Sequence, residues 1–138
     1  QTQALIKAPR MVQKVVLAID DDPVTLSQYR DVLGDRYSVR FALNGEQAIE
    51  IIDQTPPDLI IVDVRMPGES GPRVVRKLRR YTSVPVMMIS GYPQDVSEDE
   101  LINLQIHAAL IKPVAADALL FEVESLLKSH NLQINEAL

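Results

Sequence analysis

The chain has 138 residues, 46% hydrophobic and 24% charged, the size and composition of one soluble globular domain with its own core. It has no cysteine and a net charge of −5, which excludes a disulfide scaffold or thiolate metal site and argues against direct nucleic-acid contact. No apolar run approaches the roughly 20 residues a membrane helix needs, so no membrane insertion is expected. No signal peptide is read in these residues, and a cysteine-free chain fits a reducing compartment, so the expected location is cytoplasmic.

Residues 1–13 are mixed, with Lys7, Pro9 and Arg10 and no period, and read as an arm or linker. With Gln1 rather than Met at the start, excision from a longer protein is the expectation. Val15 to Ile19 is a continuous apolar run, hence a buried strand. It ends in Asp20, Asp21 and Asp22, then Pro23; Asp22 suits a helix N-cap and Pro23 the first helical position. Leu26, Tyr29 and Leu33 recur at helical spacing, and Gly34 closes the helix. From Tyr37 to Ala42 the residues alternate, as in a strand with one buried face near a sheet edge. Asn44-Gly45 opens the next helix, whose buried side is Ala48, Ile49 and Ile52, and Pro56-Pro57 ends it.

Leu59 to Val62 is a second apolar run, and it stops at a carboxylate, Asp63, followed by the turn signal Pro67-Gly68 and by Gly71. A helix from about Ser70 to Arg80 buries Val74, Val75 and Leu78. Its outer face carries Arg73, Arg76, Lys77 and Arg80 as a basic stripe, read first as a solvated face and second as a dock for an acidic partner. Val84 to Ile89 is the fourth strand, with Pro85 near its start and Ser90-Gly91 at its end. Ser97 to Glu100 forms a capping box for a helix through about Leu104, and Asp95, Glu98, Asp99 and Glu100 complement its dipole. Ala108 to Ile111 is a short last strand ending at Lys112-Pro113. The final helix shows Leu119, Leu120, Val123, Leu126 and Leu127 on one side. Residues 130–138 are a tail or an extension of it, leaving 14–129 as the folded domain.

Five strands alternating with five helices imply an α/β fold with a parallel sheet covered on both faces. Four of the strands end in a polar residue with chemical potential: Asp20-Asp21, Asp63, Ser90 and Lys112. In a parallel sheet all four ends share one edge, where open α/β sheets bind ligands. Singly each has an ordinary explanation, such as a turn carboxylate, a strand-end hydroxyl bonded to backbone or a surface lysine; their convergence is the signal. Two carboxylates about 4 Å apart repel by roughly 4 kcal/mol at an effective dielectric of 20, so three of them need compensation. Lys112 offers one positive charge, and a divalent cation offers two more; all-oxygen ligation suits Mg²⁺ or Mn²⁺ rather than zinc. Asp63 is then placed as a nucleophile for phosphorus, with Ser90 and Lys112 to hold phosphoryl oxygens.

With these pieces in order, the chain resembles the receiver domain of two-component response regulators. The matching residues are Asp20-Asp21-Asp22-Pro23, Asp63-Val64-Arg65-Met66-Pro67-Gly68 with Gly71, Pro85-Val86 leading to Ser90-Gly91, and Lys112-Pro113, within about Lys14 to Lys128. The resemblance implies a flavodoxin-like (βα)5 doubly wound sheet of strand order 2-1-3-4-5. It implies Asp63 as phosphoacceptor, and Mg²⁺ held by Asp20, Asp21 (the more directly) and the Arg65 backbone carbonyl. Ser90 becomes a switch hydroxyl, Lys112 a phosphoryl ligand, and the Lys112–Pro113 bond is cis, as is typical of the family. It implies a histidine kinase or phosphotransfer protein as donor, and an output domain or protein partner read through the face of helix 4, strand 5 and helix 5. Such a domain catalyses its own phosphorylation and dephosphorylation but is not a turnover enzyme.

The chain also departs from the family. Ala109 stands where an aromatic usually swings inward, and Gln105 where a glycine is common; the helix-4 segment is atypical. Gly91, Tyr92 and Ala109 form the switch region, with Tyr92 the candidate to take over part of the aromatic's role. Arg65 and Tyr92, two residues past the phosphoacceptor and the hydroxyl, are bulky enough to hinder an attacking water. A haloacid-dehalogenase-like phosphatase needs a second acid where Arg65 stands, and a flavodoxin's phosphate loop would not carry three Asp residues. A binding-only pseudo-receiver fits poorly with a full set of phosphorylation residues.

Overall fold

The computed structural model describes residues 12–137, so nearly all of the N-terminal arm lies outside the described residues. Strands and helices alternate as β1 (Val15–Ile19), α1 (Pro23–Leu33), β2 (Ser38–Ala42), α2 (Gly45–Gln54), β3 (Leu59–Asp63), α3 (Gly71–Leu78), β4 (Val86–Ser90), α4 (Glu98–Asn103), β5 (Ile106–Ile111) and α5 (Ala116–Ala137), with a 3-10 turn at Pro93–Asp95. The strands form one sheet in the order β2-β1-β3-β4-β5, every pairing parallel. This is the expected doubly wound order.

The three central strands are almost wholly buried, which is why they read as unbroken apolar runs. Alternate residues feed two cores. Leu17, Ile19, Ile60, Val62 and Met88 pack with Ala48, Ile52, Val74, Val75 and Leu78 from α2 and α3. Val16, Ala18, Leu59, Ile61, Met87 and Ile89 pack with Leu26, Tyr29 and Leu33 of α1 and Leu119, Val123 and Leu127 of α5. Each fully buried Leu or Ile contributes roughly 1.5–3 kcal/mol, so the centre of the sheet is the stiff part of the molecule. Helix starts follow the sequence closely. Asp22, Asn44, Ser70 and Ser97 each accept a backbone N–H of the first turn, and Ser97 with Glu100 completes the capping box.

The edges differ from expectation in three places. β4 begins at Val86, because Pro85 cannot donate to the ladder. β5 begins at Ile106, two residues earlier than the apolar run suggested, and alternates half-buried with exposed residues. It is an edge strand, and the short α4 beside it buries no residue, so His107, Ala109 and Ile111 stay open. α3 stops at Leu78 because Arg79 turns inward. Its guanidinium donates to the carbonyls of Val84 (2.7 Å), Gln105 (2.8 Å) and Leu104 (3.0 Å), stapling α3, the start of β4 and the end of α4. At the other end of the chain α5 runs on to Ala137, the helical extension of the two readings.

Gln105 has φ +57°, a left-handed conformation that costs an L-residue roughly 1–2 kcal/mol. That explains why a glycine commonly precedes this strand. Gly68 (φ +82°) and Gly71 shape the loop after β3. A Cβ on Gly71 would stand 2.5 Å from the Asp63 carbonyl oxygen, and its N–H donates to Val64 O at 2.7 Å. The chain folds back on itself as tightly as backbone can.

Candidate functional site

Strand register builds the site. Ile19 lies opposite Val62, so Asp20 emerges beside Asp63; Asp63 lies opposite Ile89, and Ser90 opposite Ile111, with Lys112 next. The four strand ends therefore reach one edge level with one another. Carboxylate oxygens of Asp20, Asp21 and Asp63 all lie within 4.8 Å of one another. Lys112 Nζ stands 3.0 Å from Asp63 Oδ1 and 3.5 Å from Asp20 Oδ2. Its backbone N–H donates to Ser90 O at 2.7 Å, which fixes where the side chain starts, and the Lys112–Pro113 bond is cis.

Charge in this cluster is unbalanced. Asp20 is 1% exposed, and its Oδ1 accepts the Asp22 N–H at 2.9 Å while its Oδ2 has no hydrogen-bond partner. Burial raises the Asp20 pKa above the usual carboxylate value; the Asp22 N–H works against this, and the Asp63 charge adds to it. Asp63 is raised for the same first reason, burial, only partly offset by its bond to Lys112. For Lys112, burial disfavours the ammonium, but the bond to Asp63 and the Asp20 charge outweigh it, and its pKa is raised. Three carboxylates against one ammonium, with a buried oxygen lacking a donor, fit a hard divalent cation with oxygen ligands. Asp20, Asp21 and Asp63 are an acidic group able to hold a metal ion.

Sequence reasoning missed one neighbour. Tyr29 of α1 is buried, and its phenol pKa is raised, first by burial and then by the charges of Asp20 and Asp63. At helical spacing it looked like core alone. Its placement beside the carboxylates depends on how α1 packs, which no local pattern encodes.

Not all predicted residues converge. The Ser90 hydroxyl is buried at the end of β4 but bonds to its own loop, donating to Tyr92 O (3.1 Å) and accepting from Tyr92 N (2.9 Å). Arg65 sends its side chain away from the acids, over the Tyr92 ring and onto Asp95. Gly91 is exposed with open space around it, and Tyr92 is 48% exposed. Ala109 lines a small cavity of about 140 Å³ together with Ser90, Tyr92, Val64, Met88 and Val96. The basic stripe of Arg73, Arg76, Lys77 and Arg80 is exposed on α3, with Lys77 paired to Glu69.

A five-stranded doubly wound sheet with three acids and a lysine at its carboxyl edge defines a phosphoacceptor-type signalling domain. A family model for the response regulator receiver domain matches residues 16–124, and the chain belongs to that family, the receiver domains of two-component systems. The chain is 33% identical over 118 residues to the sensor histidine kinase TmoS of Ectopseudomonas mendocina, covering 83% of this chain but only 12% of that protein. The chemotaxis protein CheY4 of Vibrio cholerae is 26% identical with a TM-score of 0.76, covering 83% of this chain and 99% of that one. The signal receiver domain of a putative LuxO repressor protein from Vibrio parahaemolyticus is 28% identical with a TM-score of 0.74, covering 88% and 95%. Receiver domains pair with histidine kinases as phosphodonors. Among the described residues no helix is long and apolar enough to cross a membrane.

Proposed function

We propose that Asp63 is the phosphoacceptor, that Asp20, Asp21 and the Arg65 carbonyl join it in holding Mg²⁺, and that Lys112 and Ser90 receive the phosphoryl oxygens. The observation that carries this reading is the Lys112–Asp63 contact of 3.0 Å inside a cluster of three carboxylates. A carboxylate oxygen of Asp63 forms a bond to phosphorus while the P–N bond of a phosphohistidine breaks; the imidazole leaves with the electron pair and is protonated from water. Lys112 stays charged through the step, because its pKa lies above its ordinary value, and it neutralises charge on the transferring group. The bound ion would supply further positive charge against the phosphoryl oxygens.

The product adds a charge of about −1.5 to −2 at one point of the sheet edge. The Ser90 hydroxyl then turns from Tyr92 toward the phosphoryl group, and the face built by α4, β5 and α5 changes its preferred arrangement. The domain acts as a stoichiometric acceptor rather than a turnover enzyme, on the cytoplasmic side of the cell. Its phosphodonor is a histidine kinase or phosphotransfer protein, and its reader is an output domain or protein partner. The test is an intact-mass spectrum after incubation with acetyl phosphate. One phosphoryl adduct that requires Mg²⁺ and is lost in Asp63→Asn is expected; a wild-type chain left unlabelled by both acetyl phosphate and the cognate kinase would overturn the reading.

A further inference from the structure

Behind Ser90 the side chains close into a ring of contacts that the chemistry above does not use. The Tyr92 carbonyl accepts two donors, the Ser90 hydroxyl at 3.1 Å and the Asp95 N–H at 3.0 Å. The Tyr92 N–H returns to Ser90 Oγ at 2.9 Å, so one residue occupies both the donor and an acceptor site of the hydroxyl. Arg65 locks that residue from outside. Its guanidinium carbon stands 3.6 Å from the centre of the Tyr92 ring. Its Nε and Nη2 donate as a fork to the two oxygens of Asp95, the latter at 3.0 Å. Asp95 thus binds the Tyr92 carbonyl through its backbone and the Tyr92 ring through Arg65. Arg65 follows Asp63 by two residues, so the ring ties the phosphoacceptor loop to the loop that leads into α4.

We propose that Arg65, Tyr92 and Asp95 are positioning residues for the Ser90 hydroxyl, a clamp that holds it on the Tyr92 backbone and must loosen before it can serve a phosphoryl group on Asp63. The inference rests on the assignment of Ser90 as the switch hydroxyl. For Ser90 to donate toward Asp63 it has to surrender the Tyr92 carbonyl, and the clamp keeps that carbonyl in place. Ala109 puts no ring beside Ser90, and a cavity of about 140 Å³ lies there, lined by Ser90, Tyr92 and Ala109 with Leu110 and Ile111 of β5. The clamp therefore does the work usually given to a moving aromatic. Arg65 is more than half exposed, so added salt weakens the hold.

Asp95→Ala tests this without touching the Arg65 charge, and Asp95→Glu is the conservative rescue. In the unphosphorylated protein, hydrogen exchange at the Tyr92 amide is expected to rise about two- to fivefold in Asp95→Ala and to return toward wild type in Asp95→Glu. Phosphoryl uptake from acetyl phosphate with Mg²⁺ is expected to accelerate by a similar factor, about two- to fivefold, in Asp95→Ala alone. An unchanged Tyr92 amide overturns the clamp whatever the labelling shows. A labelled wild type with an equal rate in Asp95→Ala also overturns it. A wild type that takes no label overturns the phosphoacceptor reading instead, and the exchange experiment then decides the clamp on its own.

Discussion

The two sides of the sheet's carboxyl edge are held by different kinds of force. On the β1–β3 side, Asp20 and Asp63 project from strands buried on both faces, and their backbones are set by the two cores. On the β4–β5 side, the Ser90 hydroxyl, Tyr92 and the loop into α4 are held by an exposed ion pair, a stacked guanidinium and a few loop hydrogen bonds, and α4 buries no residue. Packing fixes geometry within tenths of an ångström and moves little; exposed polar contacts are individually weak and exchange readily with water. The chain thus puts its carboxylates where packing is dense and the Ser90 loop where contacts are cheap to remake.

The largest expected effect breaks an ion pair that joins the two sides, from Lys112 after β5 to Asp63 at the end of β3. Lys112→Met should slow phosphoryl uptake from acetyl phosphate by roughly 100-fold, since it removes the preorganised charge beside Asp63. A rate within a few-fold of wild type, followed by intact mass, would remove Lys112 from the chemistry. Next comes the Arg79 staple on the β4–β5 side. Arg79→Ala loses four charge-assisted bonds to carbonyls and should lower unfolding free energy by about 2–3 kcal/mol in a urea titration, with phosphoryl uptake nearly unchanged.

The third prediction concerns pH. The folded pKa of Asp20 lies above 3.8, so folding favours its protonated form. Wild type therefore keeps this contribution in full below pH 3.8 and loses it as pH rises through the folded value. Asp20→Asn has no such slope. Without Mg²⁺ it should be more stable than wild type by about 1 kcal/mol at pH 7, and the gap should close in acid. A gap constant with pH would mean that the carboxylate charge is not the cause. The smallest effect is Gln105→Gly, which relieves a left-handed residue and should stabilise by about 0.5–1 kcal/mol, read as a shifted urea midpoint.

Most of the rigid side was legible in the sequence. Apolar runs ending in Asp20, Asp63 and Lys112 place those residues at one edge once the strands are parallel, and register does the rest. The capped starts of α1, α2, α3 and α4 were legible too, because a cap is a local signal. The loosely held side was not. Arg65 and Asp95 lie 30 residues apart and meet only through the fold, and Asp95 looked like one more acid before a helix. Arg79 carried no signal of its own, yet its guanidinium meets the carbonyls of Thr82, Val84, Leu104 and Gln105, which gather only in the folded chain. β5 seemed short because His107, exposed on an edge strand, interrupts the apolar pattern. The Ser90 bonds to Tyr92 follow the ordinary habit of a strand-end hydroxyl, which sequence alone could not rank against a phosphoryl role.

The tight contact of Gly71 with the Asp63 carbonyl has a mechanical meaning. α3 begins at Gly71, so its first turn is seated directly on the backbone of the residue proposed to be modified, with no side chain between to act as a cushion. A shift of α3 relative to Asp63 would have to compress backbone against backbone. The backbone positions of Arg73 and Arg76 are thereby tied to that of Asp63 through the first turn of the helix that carries them.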